Sequence, residues 1–238
     1  MIHYHGTRIA CSDDQVARIL SARHAFVSYA DTSQLSIVQE VCQTWALDNG
    51  AYSFFNSGKK IDWDVFYKFV EEVRSPSMDF FIIPDVIGGS EEENDALIRQ
   101  CPLYGGIPVW HTNESLKRLE ILRDNFQLIC IGSGKGLQPN TMDWWIRMNQ
   151  ALEILVGKDG RPKVKIHGLK MLNPEIFTRI PLASADSTMV GREVGERNWS
   201  GMFKPLSYHS RAMVLIDRIE HFNSPTRWKK QPIQMELI

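Results

Sequence analysis

Several short apolar runs in this sequence end in residues able to move protons or attack carbon. They are Leu47-Asp48-Asn49-Gly50-Ala51-Tyr52, Pro84-Asp85, Trp110-His111-Thr112, His167-Gly168 and Ala185-Asp186-Ser187-Thr188. A further run ends in the small loop Gly132-Ser133-Gly134. Two carboxylates facing one pocket can divide the roles of nucleophile and general acid/base. Tyr52, four residues beyond Asp48, offers a ring for stacking. The glycine loop can present backbone N–H groups at close range. Together these suit a planar heterocycle or a sugar. A single Asp after an apolar run equally fits a helix cap or a turn. Three aspartates, two histidines and a glycine loop on one rim exceed what capping requires.

Such a rim needs elements that all end on the same side. Candidate strands are Ile2–His5, Ala25–Tyr29, Trp45–Asp48, Phe80–Asp85, Ile107–His111, Leu128–Gly132, Val164–His167 and Leu182–Asp186. Some are apolar throughout, as in Phe80-Phe81-Ile82-Ile83, which marks strands covered on both faces of a parallel sheet. Helical patterns fall between them at 13–22, 33–44, 62–74, 91–100, 113–124, 142–156 and 174–179, and one at 206–222 closes the series. Eight alternating units predict an α/β fold, a (β/α)8 TIM-type barrel forming a single domain over residues 1–223. Residues 224–238 read as a tail or arm. An open doubly wound sheet is the rival architecture.

The chain has 238 residues, of which 43% are hydrophobic, enough for a sizeable core. Formal net charge is -1, which excludes a uniformly basic nucleic-acid binder. The charge is polarised, however. Residues 1–157 hold 13 basic and 20 acidic side chains, and residues 158–238 hold 14 and 8. The C-terminal third is therefore where phosphate contacts are sought, with Arg192, Arg197 and Lys204 as candidates beside the equal reading of a solvated loop. Cys11, Cys42, Cys101 and Cys130 stand alone, without the paired spacing of a zinc or redox site. Isolated cysteines, no basic leader before an apolar stretch and no run long enough to span a membrane predict a cytoplasmic protein. His3 and His5 could point into the barrel mouth and join Asp85 or His111 around a metal. No spacing motif supports that, so no metal and no cofactor is expected.

The order Asp48-Asn49-Gly50-Ala51-Tyr52, Pro84-Asp85, Gly132-Ser133-Gly134, Ala185-Asp186-Ser187-Thr188 resembles the tRNA-guanine transglycosylase superfamily. It is most similar to the short phage and genomic-island members linked to 7-deazaguanine modification of DNA. The resemblance spans roughly residues 45–192. It implies that Asp186 is the nucleophile and that Asp48 handles protons on the leaving and entering bases. It further implies that Asp85 reads the amino and ring N–H groups of guanine and that Tyr52 stacks on the base. His167 lies near the position that covers the other face, and Gly132 and Gly134 would offer backbone contacts. Asn49, Ser133 and His111 complete the expected base pocket.

The three-cysteine, one-histidine zinc cluster of that superfamily is missing, since the last cysteine is Cys130. The chain is also shorter than the tRNA enzymes. Both departures move the expected polymer from tRNA to DNA. The expectation is therefore exchange of guanine for a 7-deazaguanine through a covalent aspartyl-glycosyl intermediate, by an enzyme that admits a homodimer. The alternatives are a glycoside or nucleoside hydrolase on the same barrel, and a non-catalytic barrel that binds a nucleotide or nucleic acid.

Overall fold

A computed structural model describes residues 1–191 and 204–230. The strands are β1 (Ile2–Gly6), β2 (His24–Ser28), β3 (Thr44–Asp48), β4 (Met78–Ile82), β5 (Gly106–Ile107), β6 (Val109–His111), β7 (Leu128–Gly132), β8 (Lys165–Gly168) and β9 (Ser184–Ser187). Every pairing is parallel. The sheet order is β5-β4-β3-β2-β1-β9-β8-β7-β6.

The two edges of that order, β5 and β6, are halves of one strand. Pro108 alone separates them, and proline has no N–H to give to a ladder. The interruption is local. Ile83 N donates to Ile107 O on one side, and Cys130 N donates to Pro108 O on the other. The sheet thus closes on itself as an eight-stranded barrel, as the alternation of elements predicts. The expected single strand Ile107–His111 is corrected to a strand broken at its proline.

Helices α1 (Asp13–Leu20), α2 (Leu35–Val41), α3 (Ala51–Ser57), α4 (Trp63–Val73), α5 (Glu91–Gln100), α6 (Leu116–Asn125), α7 (Met142–Leu155), α8 (Pro174–Phe177) and α9 (Tyr208–Glu220) surround the barrel. Ser90 caps α5 in a reciprocal box with Glu93, and Asp62 caps α4 by accepting from Asp64 N and Val65 N. Alternate strand residues point outward and inward. Outward residues such as Val27, Trp45, Leu47, Phe81, Ile129 and Ile166 build the main core against the helices. Inward residues Tyr4, Phe26, Ala46, Phe80, Ile82, Val109 and Cys130 fill the barrel itself. The interior is therefore packed.

His3 and His5 fall on outward positions. His3 Nε2 meets Phe222 O at 3.0 Å, and His5 Nε2 meets Glu220 Oε1 at 2.9 Å. Both bind the barrel to the end of α9, so neither points into the mouth as the metal reading requires. Among the described residues no three His, Cys, Asp or Glu side chains are grouped to hold a metal. Within the same range no helix is long and apolar enough to cross a membrane. The chain beyond α9 turns back under the barrel. Ser224 Oγ accepts from Leu182 N at 2.7 Å, and Trp228 N donates to Gly160 O at 2.8 Å. Residues 224–230 are thus a docked arm, and Trp228 packs against the core.

A buried polar network supports one side of the rim. Glu114 Oε2 accepts from His111 N at 2.8 Å and from Arg118 Nη1 at 2.6 Å. Glu114 Oε1 accepts from Asn94 Nδ2 at 3.1 Å, and Asn94 Oδ1 accepts from Val86 N at 2.8 Å. Glu114, Arg118 and Asn94 are all buried. Replacing Arg118 with Met leaves the Glu114 carboxylate buried without its counter-charge. Such a loss costs about 3–5 kcal/mol. Urea unfolding of Arg118→Met is expected to show a drop of that order, whereas the exposed Lys117→Met falls within about 0.5 kcal/mol of wild type.

Candidate active site at the barrel mouth

Asp48, Asp85 and Asp186 come from the C-terminal ends of three different barrel strands or the loops just after them. Asp48 is the last residue of β3, and its inward side chain is partly accessible from the mouth. Asp186 is on β9 and Asp85 is three residues beyond β4; both are buried. The charges of Asp186 and Asp85 both reach Asp48, and all three bear on the Cys130 thiol beneath them. The rim expected from the strand ends is therefore a physical cluster.

Each carboxylate has a different set of partners. Asp85 Oδ1 accepts from Asn49 Nδ2 at 2.7 Å, and Asp85 Oδ2 faces His111 Nε2 at 3.0 Å. The other His111 nitrogen, Nδ1, is 3.4 Å from Ser133 O. Acceptors therefore stand at both ring nitrogens, and only the imidazolium can donate to both. Burial works against that charge, but the hydrogen bond and charge of Asp85, with help from Glu114, leave the His111 pKa above its ordinary value. Asp85 and His111 are thus an ion pair within the rim.

Asp186 has a second histidine. Its Oδ1 accepts from Lys170 N at 2.9 Å and lies 3.4 Å from His167 Nε2. His167 Nδ1 meets Ser184 Oγ at 2.8 Å. Nε2 is buried and makes no hydrogen bond, so Asp186 is its nearest polar neighbour on the rim side. His167 sits inside the barrel, its ring 5.2 Å from Phe80 and 5.3 Å from Phe26. It is wholly buried. The expectation that His167 covers a substrate ring is corrected: it is the floor under Asp186.

Asp48 has no histidine. Its Oδ2 accepts from Gly50 N at 3.1 Å and from Ser28 Oγ at 3.3 Å. Burial comes first among the influences on it, followed by the charges of Asp186 and Asp85, and together they push its pKa up to about 7. Three carboxylates share two imidazoles, and the unpaired one takes the proton. Near neutral pH Asp48 can therefore still give a proton.

The remaining expected pocket residues divide. Asn49 is saturated: Nδ2 donates to Asp85 Oδ1 and to Ile83 O, and Oδ1 accepts from Ala51 N at 2.8 Å. It orients Asp85 and has little left for a substrate, which corrects its assignment as a base contact. The Gly134 amide donates to Thr112 Oγ1 at 2.7 Å, so it is not available to a base. Gly132 is inward and tightly held, since a Cβ there would stand 3.1 Å from His111 Nδ1. Tyr52 is in the first turn of α3 and 53% exposed. Lys204 is exposed on the segment before α9. Arg192 and Arg197 lie outside the described residues.

Sequence reasoning misses α3, Ser28, Ser184 and Lys170. Gly50 is the signal for α3: at φ +75° it takes the left-handed conformation as the helix N-cap. The inward register of Ser28 and Ser184 is readable only once strands are paired.

No family model matches the chain, and no curated protein matches it. Among solved structures it is similar to a chain provisionally assigned as a fructose-1,6-biphosphate aldolase from Coccidioides immitis. The two are 13% identical with a TM-score of 0.49, and the match covers 92% of this chain and 89% of that one.

The raised Asp48 pKa has a sign that can be measured. The folded state holds this proton from its ordinary carboxylate range, near 4, up to about 7, where the unfolded chain has lost it. Asp48 therefore costs stability progressively as pH rises through that window, by up to about 4 kcal/mol at its top. Asp48→Asn removes the penalty. The melting temperature of Asp48→Asn relative to wild type is expected to climb between pH 4 and pH 8. A difference that stays flat over that range would show that Asp48 ionises normally.

Gly50→Ala tests the positioning of the same carboxylate. The change places a Cβ 2.9 Å from Ala30 N in left-handed backbone, and it should cost about 1–3 kcal/mol of stability. Differential scanning calorimetry is the measurement.

Proposed function

We propose that this barrel is an enzyme that exchanges a base on nucleic acid through a covalent aspartyl-glycosyl intermediate. The observation that carries the reading is the unequal pairing of its three aspartates. Asp186 accepts from Lys170 N and faces His167 Nε2, whereas Asp48 has no histidine and retains a proton up to about pH 7. Base exchange requires such an unequal pair.

In the first half-reaction Asp186 attacks the anomeric carbon. The bond from that carbon to the base nitrogen breaks, its electron pair stays on the base, and the base takes the Asp48 proton. In the second, the Asp48 carboxylate removes a proton from the incoming base. That base attacks the anomeric carbon and Asp186 leaves. Asp48 ends protonated and Asp186 ionised, so the enzyme is regenerated. Asp85, fixed by Asn49 and the His111 imidazolium, is an acceptor suited to the N–H edge of guanine. Guanine as leaving base, a 7-deazaguanine as entering base and DNA as polymer follow from the resemblance in the sequence. A base in a duplex has to be flipped out to reach the rim.

The wild-type chain is expected to incorporate labelled guanine into a guanine-containing DNA strand and to form a denaturation-resistant adduct with it. Asp186→Asn should abolish the adduct and lower exchange by at least about a thousandfold. Release of free base without incorporation would move the assignment to a hydrolase using the same carboxylates. Failure of the wild-type chain to form adduct, exchange base or release it would refute the enzyme reading. Salt-sensitive strand binding that survives Asp186→Asn would then identify a binding protein.

A further inference from the structure

Lys170 stands out because two parts of it act on the rim at once. Its backbone N–H donates to Asp186 Oδ1 at 2.9 Å. Its ammonium nitrogen lies 3.9 Å from the centroid of the Tyr52 ring. Lys170 follows β8 and Tyr52 follows β3. With β5 and β6 counted as one strand, β8 and β3 are four places apart in the eight-stranded closed sheet, hence diametrically opposite. The contact therefore spans the mouth, and the aspartates at the ends of β3 and β9 lie below its two ends.

The backbone is held for this purpose. Lys170 has φ 58°, left-handed backbone that a lysine seldom adopts. The hydrogen bond from its backbone N–H to Asp186 Oδ1 ties the residue there, so the cation extends from a fixed turn. Tyr52 in turn is half exposed, and the ring face under the ammonium is one that stacking would use.

Resting on the base-exchange reading, we propose that Lys170 is a specificity-determining residue that trades Tyr52 for the substrate's phosphate. In the structure its ammonium lies over the Tyr52 ring. An entering planar base displaces it, because a base stacked on an aromatic ring is held more strongly than an exposed cation on the same ring. The freed ammonium, still tethered at Asp186, then meets an anionic group attached to the base's own sugar. A free base bears only the cost of displacing the lysine. A nucleotide recovers it through the phosphate, so the enzyme prefers phosphate-bearing substrates over free bases.

The test uses the full chain with guanine and with guanosine 5′-monophosphate as probes. Binding is measured by calorimetry in wild type and in Lys170→Met, which keeps an unbranched side chain and removes the charge. Lys170→Met should bind guanine about threefold more tightly and the monophosphate about tenfold more weakly. Equal changes for both probes, or none, would overturn the proposal. In wild type labelled at lysine, the Lys170 Cε–H signal should carry a ring-current shift that Tyr52→Leu removes and that guanine also removes. Absence of that shift overturns the resting contact. If guanine binds and the signal stays in place, the exchange of partners is wrong while the base-exchange reading stands. If neither probe binds wild type, both fail together.

Discussion

The mouth of this barrel is governed by three carboxylates, two of which press their charge on the third. Asp48, Asp85 and Asp186 are brought together by closure of the parallel sheet, and that arrangement is unfavourable unless its charge is managed. Two imidazoles and one retained proton manage it. His111 neutralises Asp85, His167 faces Asp186, and Asp48 keeps its proton to about pH 7. The buried network from Glu114 through Arg118 and Asn94 is an extension of the same constraint. It fixes the His111 backbone and the loop that carries Asp85, so the ion pair stays in register.

This arrangement divides the barrel into tiers. At the bottom, Tyr4 hydrogen bonds to Asp79, and His24 to Thr44. In the middle, Tyr4, Phe26, Phe80 and His167 pack ring against ring. At the top are the carboxylates. The aromatic tier keeps water from reaching the aspartates from below, which sustains the desolvation that raises Asp48. His167 belongs to both upper tiers, with its ring in the apolar layer and one nitrogen at Asp186.

Much of this was legible in the sequence, for identifiable reasons. The apolar runs ending in Asp48, Asp85 and Asp186 announce parallel strands, because only doubly covered strands tolerate such runs. Alternation with helical segments announces the barrel. Side-chain direction was less legible. His3 and His5 alternate with Tyr4, and nothing local says which set faces inward; the register of β1 against β9 decides it. Asn49 is an expected base contact because it stands in the Asp48–Tyr52 segment that carries the resemblance, but adjacent strand-end residues point to different sides. It faces Ile83 and Asp85 instead. Lys170 carries no local signal because its significance depends on Tyr52, 118 positions earlier in the chain. Contacts across a closed barrel leave no trace in local sequence.

The break at Pro108 has a mechanical consequence. A closed barrel resists deformation because every strand is bonded on both sides. Here one strand is two short pieces, Gly106–Ile107 bonded only to β4 and Val109–His111 bonded only to β7. The cylinder therefore has a seam. Asp85 follows the strand on one side of it, and His111 ends the piece bonded on the other. The Asp85–His111 ion pair closes the top of that seam like a clasp, so a proton lost from His111 would loosen the wall of the barrel as well as the charge balance of its mouth.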